Sequence, residues 1–253
     1  MQFNSIHFLI FFFISIVIGN ILKKTWQKVF LLVGSIYFYT YTNTYFIALL
    51  VLSTVIDYFA ALAIDNENRT DKQRKIFLSI SVFFNLLILG YFKYAYLTTD
   101  IINQIFGSEL RTFNVVAYYV NLLHLRPTPT DVFLERIVLP VGISFYTFQS
   151  MSYTIDVYRK QIAARRSFID FSLYVAFFPQ LVAGPIVRAT TFFRDLDHRL
   201  SVTNEDIQIA ITRILIGFMR KLVFADNLGK VVNHTFTNYH SMNAIEVWTG
   251  AIA

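Results

Sequence analysis

Two stretches of the chain set hydrogen-bonding side chains on an apolar background at spacings that could do chemistry. The first is LPVGISFYTFQSMSYTIDVYR at 139–159. Continued as a helix after Gly142, it places Phe145, Gln149, Tyr153 and Asp156 on one face, because residues three and four apart are neighbours on a helix. A polar stripe on an apolar helix belongs in a bundle interior or against a water-filled cavity. Two readings follow. Gln149 and Tyr153 can line a substrate tunnel, or Gln149 can bond across helices as packing glue while Asp156 pairs with Arg159 or Lys160. The second stretch is FIDFSLYVAFFPQLVAGPIVR at 168–188. Pro179 and the Gly184–Pro185 pair interrupt it, and a proline removes an amide donor and clashes with the preceding turn, so the helix should kink or break there. Broken backbone at membrane depth persists only when buried in protein or lining a cavity. Gln180 and Arg188 flank the break and could donate to an anionic or carbonyl-bearing substrate. The competing reading is a proline kink near an interface, with Arg188 snorkelling to headgroups.

Other chemistries are missing from the sequence. With no cysteine there is no disulfide framework and no thiol nucleophile. Phosphate-binding glycine loops, zinc-protease motifs and nucleophile elbows do not occur. The five histidines, His7, His124, His198, His234 and His240, are not spaced as metal-binding pairs, so no metal site is expected. Each reads as a loop or interfacial histidine.

The elements that position these stretches follow from composition. Of the 253 residues 55% are hydrophobic and 15% charged, where soluble domains carry about a quarter charged. The apolar residues come in long blocks, and 27 Phe and 15 Tyr suit spans with aromatic residues at the water interface. Candidate membrane spans are 3–22, 29–43, 45–64, 76–97, 137–157, 168–187 and 204–228, with a further one beginning near 244. No alternating strand pattern occurs, so the fold class is all-α: a polytopic helical membrane protein, one transmembrane domain over 1–253, with a proline-broken or re-entrant segment. The net charge of +6 does not signal nucleic acid, because Lys and Arg collect between apolar blocks. Loops 23–28, 65–75, 158–167 and 220–230 are basic, whereas 98–136 and 188–206 are neutral or acidic. This alternation places the N-terminus outside, and Lys23, Lys24 and Lys28 after the first block mark it as an uncleaved span.

Two finer features are expected. Thr203 and Asp206 form a capping box for helix 204–228, with Gly229 as its C-cap. Arg213, Gly217 and Arg220 share a face of that helix, which should meet protein, water or headgroups. Segment 98–136, with Pro127 and Pro129, should be an external excursion carrying a short interfacial helix near Val115–Leu125.

The two opening stretches, together with FNSIHFLIFFF, SIYFYTYTNTYFIALLVLSTVIDYFAA at 35–61 and GFMRKLVFADNL at 217–228, resemble the membrane-bound O-acyltransferase superfamily, in its bacterial alginate O-acetyltransferase-like branch. The resemblance implies transfer of an acyl group from a cytosolic thioester, here acetyl-CoA, to an exported polysaccharide. It also implies a bacterial inner-membrane location, contact with membrane lipid, no nucleic-acid partner and no resident cofactor. A periplasmic or secreted acetyltransferase partner often completes such transfer. Gln149, Tyr153, Gln180 and Arg188 would then be tunnel-wall residues. The family's essential histidine follows a tryptophan, but Trp26 and Trp248 precede Gln27 and Thr249. The chain is therefore expected to be the N-terminal portion of such a protein, truncated before the catalytic half and inactive alone, with no catalytic residue of its own. D-alanyl transfer to teichoic acid by the same superfamily, and a polytopic transporter or flippase, are the alternatives.

Overall fold

The computed structural model describes residues 5–41, 46–122, 136–181, 184–198 and 202–253. His124, Pro127 and Pro129, named in the sequence analysis, lie outside the described residues.

The architecture is all-α, as expected of a helical membrane protein. The helices are α1 (Ile6–Ile21), α2 (Lys24–Thr40), α3 (Ile47–Ile64), α4 (Asp71–Phe106), α5 (Val115–Leu122), α6 (Ile143–Tyr158), α7 (Phe168–Ala176), α8 (Phe178–Leu181), α9 (Ala189–Asp197), α10 (Asn204–Met219), α11 (Asp226–Asn238) and α12 (Ala244–Ile252). Among the described residues α3 and α4 are long and apolar enough to cross a membrane, and α1 is a shorter apolar helix. At 1.5 Å per residue the 36 residues of α4 run for about 54 Å, far beyond a hydrocarbon core of about 30 Å. Lys75 and Lys93 stand about 27 Å apart along it, so they fit the two edges of such a core and the last turns extend past it.

Local signals start and stop these helices. Thr70 and Gln73 form a reciprocal capping box at α4, and Gly107 closes it in the left-handed conformation at φ 60°. Gly142, at φ 77°, opens α6 where the sequence placed the helix start. The expected box of Thr203 with Asp206 begins α10. Gly229, however, is no C-cap. The helix passes through a six-residue π turn, Arg220–Ala225, and runs on as α11, so Gly229 lies inside it. The wider turn carries the chain past a residue that would otherwise favour termination.

Contacts divide the chain into two compact units, 1–198 and 199–253. In the first, α3, α4 and α6 pack on one another and α2 packs on α7. Its core holds Leu50, Ile64, Ile143, Tyr146, Tyr153, Phe171 and Tyr174. In the second, α11 and α12 pack so tightly at one point that a Cβ on Gly250 would fall 2.2 Å from the Thr235 hydroxyl oxygen. Arg213, Gly217 and Arg220 are exposed.

Candidate functional site: a proline-broken segment inside a helical bundle

The stretch 168–187 does not form one continuous helix. Ser167 caps α7 by accepting from the Asp170 amide at 3.2 Å, and the helix then runs only nine residues. Phe177 takes φ −58°, ψ 113°, and α8 is a four-residue turn carrying Pro179. In an unbroken helix the Phe178 amide would donate to the Tyr174 carbonyl. That bond is severed, and side chains from neighbouring helices take over both halves. The Phe178 amide donates to Ser35 Oγ of α2 at 3.2 Å. The Tyr174 carbonyl receives Gln149 Nε2 of α6 at 2.8 Å and Gln180 Nε2 at 2.9 Å. Both glutamines are buried, so the break meets the requirement that irregular backbone in an apolar interior find internal partners.

The segment then turns back. α9 begins at Ala189, and its end meets the start of α7. Arg165 forms paired bonds to Asp197, at 2.8 Å and 2.6 Å, and bonds Asp170 through Nε at 2.8 Å. Lys28 donates to Asp170 at 2.9 Å, and Lys24 donates to the Asp197 carbonyl at 2.8 Å. Asp197 therefore sits with loops 23–28 and 158–167. The charge alternation that sets 188–206 opposite those loops does not hold for its first part. Counting charges by loop misses that Asp197 is spent on a cation of the basic loop. Bonds to Arg165 hold the Asp197 carboxyl below the usual carboxylate range, with Lys28 and Lys24 adding to the effect and partial burial opposing it. Lys24 and Lys28 also lie within α2, so the expected loop 23–28 is largely the first turns of a helix.

The sequence-derived residues separate into three situations. Gln149 and Gln180 converge on one carbonyl, which makes interhelical bonding by Gln149 the contact observed. Tyr153 is fully buried, and its hydroxyl accepts the Arg165 amide at 2.7 Å, fixing the loop that presents the Arg165 guanidinium. Arg188 is exposed at the N-cap of α9 and does not join the glutamines. Phe145 is 39% exposed, so the stripe through Gln149 is not uniform. Asp156 makes no ion pair with Arg159 or Lys160 among the described residues; in that region Arg165 pairs with Asp170 and Asp197, and Arg166 lies 3.9 Å from Asp65.

Gly184 has a steric role at the break. Its amide donates to the Gln180 carbonyl at 3.1 Å, and a Cβ there would stand 2.5 Å from Gln180 Cα. Gly184→Ala must therefore push the turn apart and displace Gln180 from the Tyr174 carbonyl. We expect a loss of about 2 kcal/mol, the middle of the range for overpacking. Thermal unfolding in detergent checks this, and an unchanged midpoint would show that the turn has room to relax.

Sequence reasoning overlooked a second polar centre. Asp57 of α3 is fully buried and accepts Asn85 Nδ2 at 2.8 Å and 2.9 Å and Ser81 Oγ at 2.6 Å. Ser53 donates to Asn85 Oδ1 at 2.8 Å, and Thr154 of α6 lies 3.2 Å from Ser81. The signal was available: Asp57 is the one acid inside the apolar block 47–64.

Comparison with known proteins finds relatives along the whole of this chain. Over its whole length the chain is 35% identical to the probable alginate O-acetylase AlgI of Pseudomonas syringae pv. tomato and 32% identical to that of Pseudomonas aeruginosa. These two relatives are named probable alginate O-acetylases. The resemblance carried by the two opening stretches, to that branch of the membrane-bound O-acyltransferases, thus extends along the entire chain. A peptidoglycan O-acetyltransferase of Helicobacter pylori is 28% identical over 89% of the chain. The chain spans about 45% of the length of the alginate O-acetylases it matches. No family model and no solved structure matches it.

Proposed function

We propose that this alginate O-acetylase-like chain forms part of a membrane O-acetyltransferase that takes an acetyl group from acetyl-CoA and delivers it to hydroxyls of an exported bacterial polysaccharide. The observation that carries the reading is similarity along the whole of this chain to proteins named probable alginate O-acetylase, coincident with a helix break buried among α2, α6 and α7. Such a break supports a passage for an acyl group, because backbone bonds there have been handed to side chains and the turn can re-form around a guest. In this reading Gln149, Tyr153, Gln180 and Arg188 shape the passage. A histidine outside residues 1–253 acts as base or acyl carrier, and a periplasmic or secreted acetyltransferase accepts the group on the far side. The protein sits in the bacterial inner membrane with its N-terminus outside.

The test is transfer by the intact protein in proteoliposomes, with labelled acetyl-CoA on one side and polysaccharide on the other. Label in the polysaccharide, dependent on the protein, is the expected result. Label that stays in the thioester under all conditions would remove the proposal. Residues 1–253 alone are expected to release no coenzyme A above a heat-treated control. Glycan strands of peptidoglycan in a parallel reaction separate the two acceptor classes borne by the relatives' names.

A further inference from the structure

The connection between α3 and α4 meets the loop that follows α6 around a polar cavity of about 470 Å³, within the size range of small-molecule sites. Asp65, Glu67, Arg69, Asp71, Arg74 and Lys160 line it. Arg74 builds its wall. This buried arginine ties the last turns of two helices together, donating through Nε to the Ile64 carbonyl at 2.8 Å and through one terminal nitrogen to the Tyr158 carbonyl at 3.1 Å. Its other terminal nitrogen reaches Asp71 at 3.4 Å. A guanidinium carries more N–H groups than these bonds use, so part of its donor capacity is left for another acceptor.

The charges around the cavity do not cancel. Asp71 is taken by Arg74, and Asp65 lies 3.9 Å from Arg166, which stands outside the lining. Arg69 lies over the Phe77 ring, 4.2 Å from its centroid, and among the described residues its side chain makes no hydrogen bond or ion pair. Lys160, at φ 60° where the chain turns out of α6, makes none either. Glu67 is the carboxylate of the lining left without a cation among the described residues. Two unpaired cations and a partly unspent guanidinium therefore face one unpaired acid, which suits a ligand bearing more than one negative charge. Phosphate groups have that charge, and oxygens enough to take several donors at once.

We infer that this cavity takes the nucleotide head of the thioester donor, with Arg69, Lys160 and the free N–H groups of Arg74 on its phosphates and Glu67 accepting from the amine of its base. Loops 65–75 and 158–167, which form the cavity, are both basic loops of the chain, where a cytosolic donor arrives in the orientation proposed above. Gln149 lies nine residues before Tyr158, about 14 Å along α6, so a head held here leaves the acyl end of a long flexible arm within reach of the broken segment. The head takes no part in bond making; it adds binding remote from the reacting atoms. The inference rests on the acyl-transfer reading for its ligand, and adds a seat for the part of the donor that does not react.

Arg69→Gln and Lys160→Gln in the intact protein test it; Arg74 is left alone because it holds two helices. Each change should raise KM for acetyl-CoA about tenfold, the weight of one charge-assisted hydrogen bond, with kcat unchanged. S-acetylpantetheine, which has the same thioester and no nucleotide, should serve parent and variants equally. Titration calorimetry with the adenosine bisphosphate head alone needs no turnover, and its affinity should fall about tenfold in each variant. Head binding that both changes weaken supports the cavity even in a protein that transfers no acetyl group. A head that does not bind the parent protein, a KM for acetyl-CoA that neither change moves, or equal damage with S-acetylpantetheine overturns the cavity while leaving the transferase reading intact. Displacement of the head by phosphatidylglycerol in mixed micelles at a lower concentration than by coenzyme A also overturns it, since the cavity would then be a lipid site.

Discussion

Asp170→Ala is expected to destabilise the first unit by about 3 kcal/mol, the lower end of the range for removing one partner of a buried ion pair. The Asp170 carboxylate is 5% exposed and sits between Lys28, 13% exposed, and Arg165, 25% exposed. Without it two cations face each other at the entry to α7, and only Asp197 remains to balance them. The lower end applies because Arg165 keeps part of its hydration and its two bonds to Asp197. The companion Asp197→Ala should cost less, because its side chain is 34% exposed and solvent screens what it loses. The pH dependence has a definite sign. Asp197 titrates below its unfolded value, so its contribution is complete above the ordinary carboxylate range and fades as pH falls through the lowered folded value. Equilibrium unfolding in detergent at pH 7 and at pH 2 checks both statements. A midpoint for Asp170→Ala equal to the parent's would mean that the cluster is decoration rather than a clamp.

Asn85→Leu should cost about 3 kcal/mol by a different route. Asn85 supplies two of the bonds to Asp57 and accepts the one from Ser53, all inside the contact of α3 with α4. Each buried hydrogen bond contributes about 0.5–1.5 kcal/mol, and leaving the buried carboxyl group partly unsatisfied adds a desolvation cost of about 1–3 kcal/mol. Among the described residues no cation lies within ion-pair distance of Asp57, so after the change serine hydroxyls such as that of Ser81 are what still donate to it. The double variant Asp57→Leu with Asn85→Leu should be less damaging than the sum of the two single variants. Apolar groups of similar size then replace both partners and leave neither of them as a stranded polar group. Unfolding free energies for the four proteins of this cycle decide the matter. Additive effects would show that the two side chains do not act as a unit.

Much of the fold can be read from the residues because apolar blocks of membrane length have few alternatives. α1, α3, α4 and α6 are helices over apolar blocks expected to be helical, α5 lies on the expected short helix, and the Thr203 box on the start of α10. The break in 168–187 was legible because proline chemistry is local. Less legible was whatever depends on a distant partner. Nothing near Tyr153 in the sequence shows that its hydroxyl takes the Arg165 amide, or that Gln149 and Gln180 share one carbonyl. The return of α9 was hidden for the same reason, since Arg194 and Asp195 resemble any neutral loop until Asp197 is seen against Arg165. Gly229 misled because a glycine after an apolar run is usually a stop, and only the π turn before it carries the helix on.

Side-specific labelling of introduced cysteines tests the returning segment most directly, and the chain holds no native cysteine to confuse it. Arg166→Cys and Asp195→Cys place thiols at positions 80% and 47% exposed in side chain, on the loop before α7 and on α9. In sealed vesicles of known orientation a membrane-impermeant maleimide should react with both from the same side. Reaction of Asp195→Cys from the opposite side to Arg166→Cys would mean that 168–187 crosses the bilayer, and the broken, re-entrant passage would have to be abandoned.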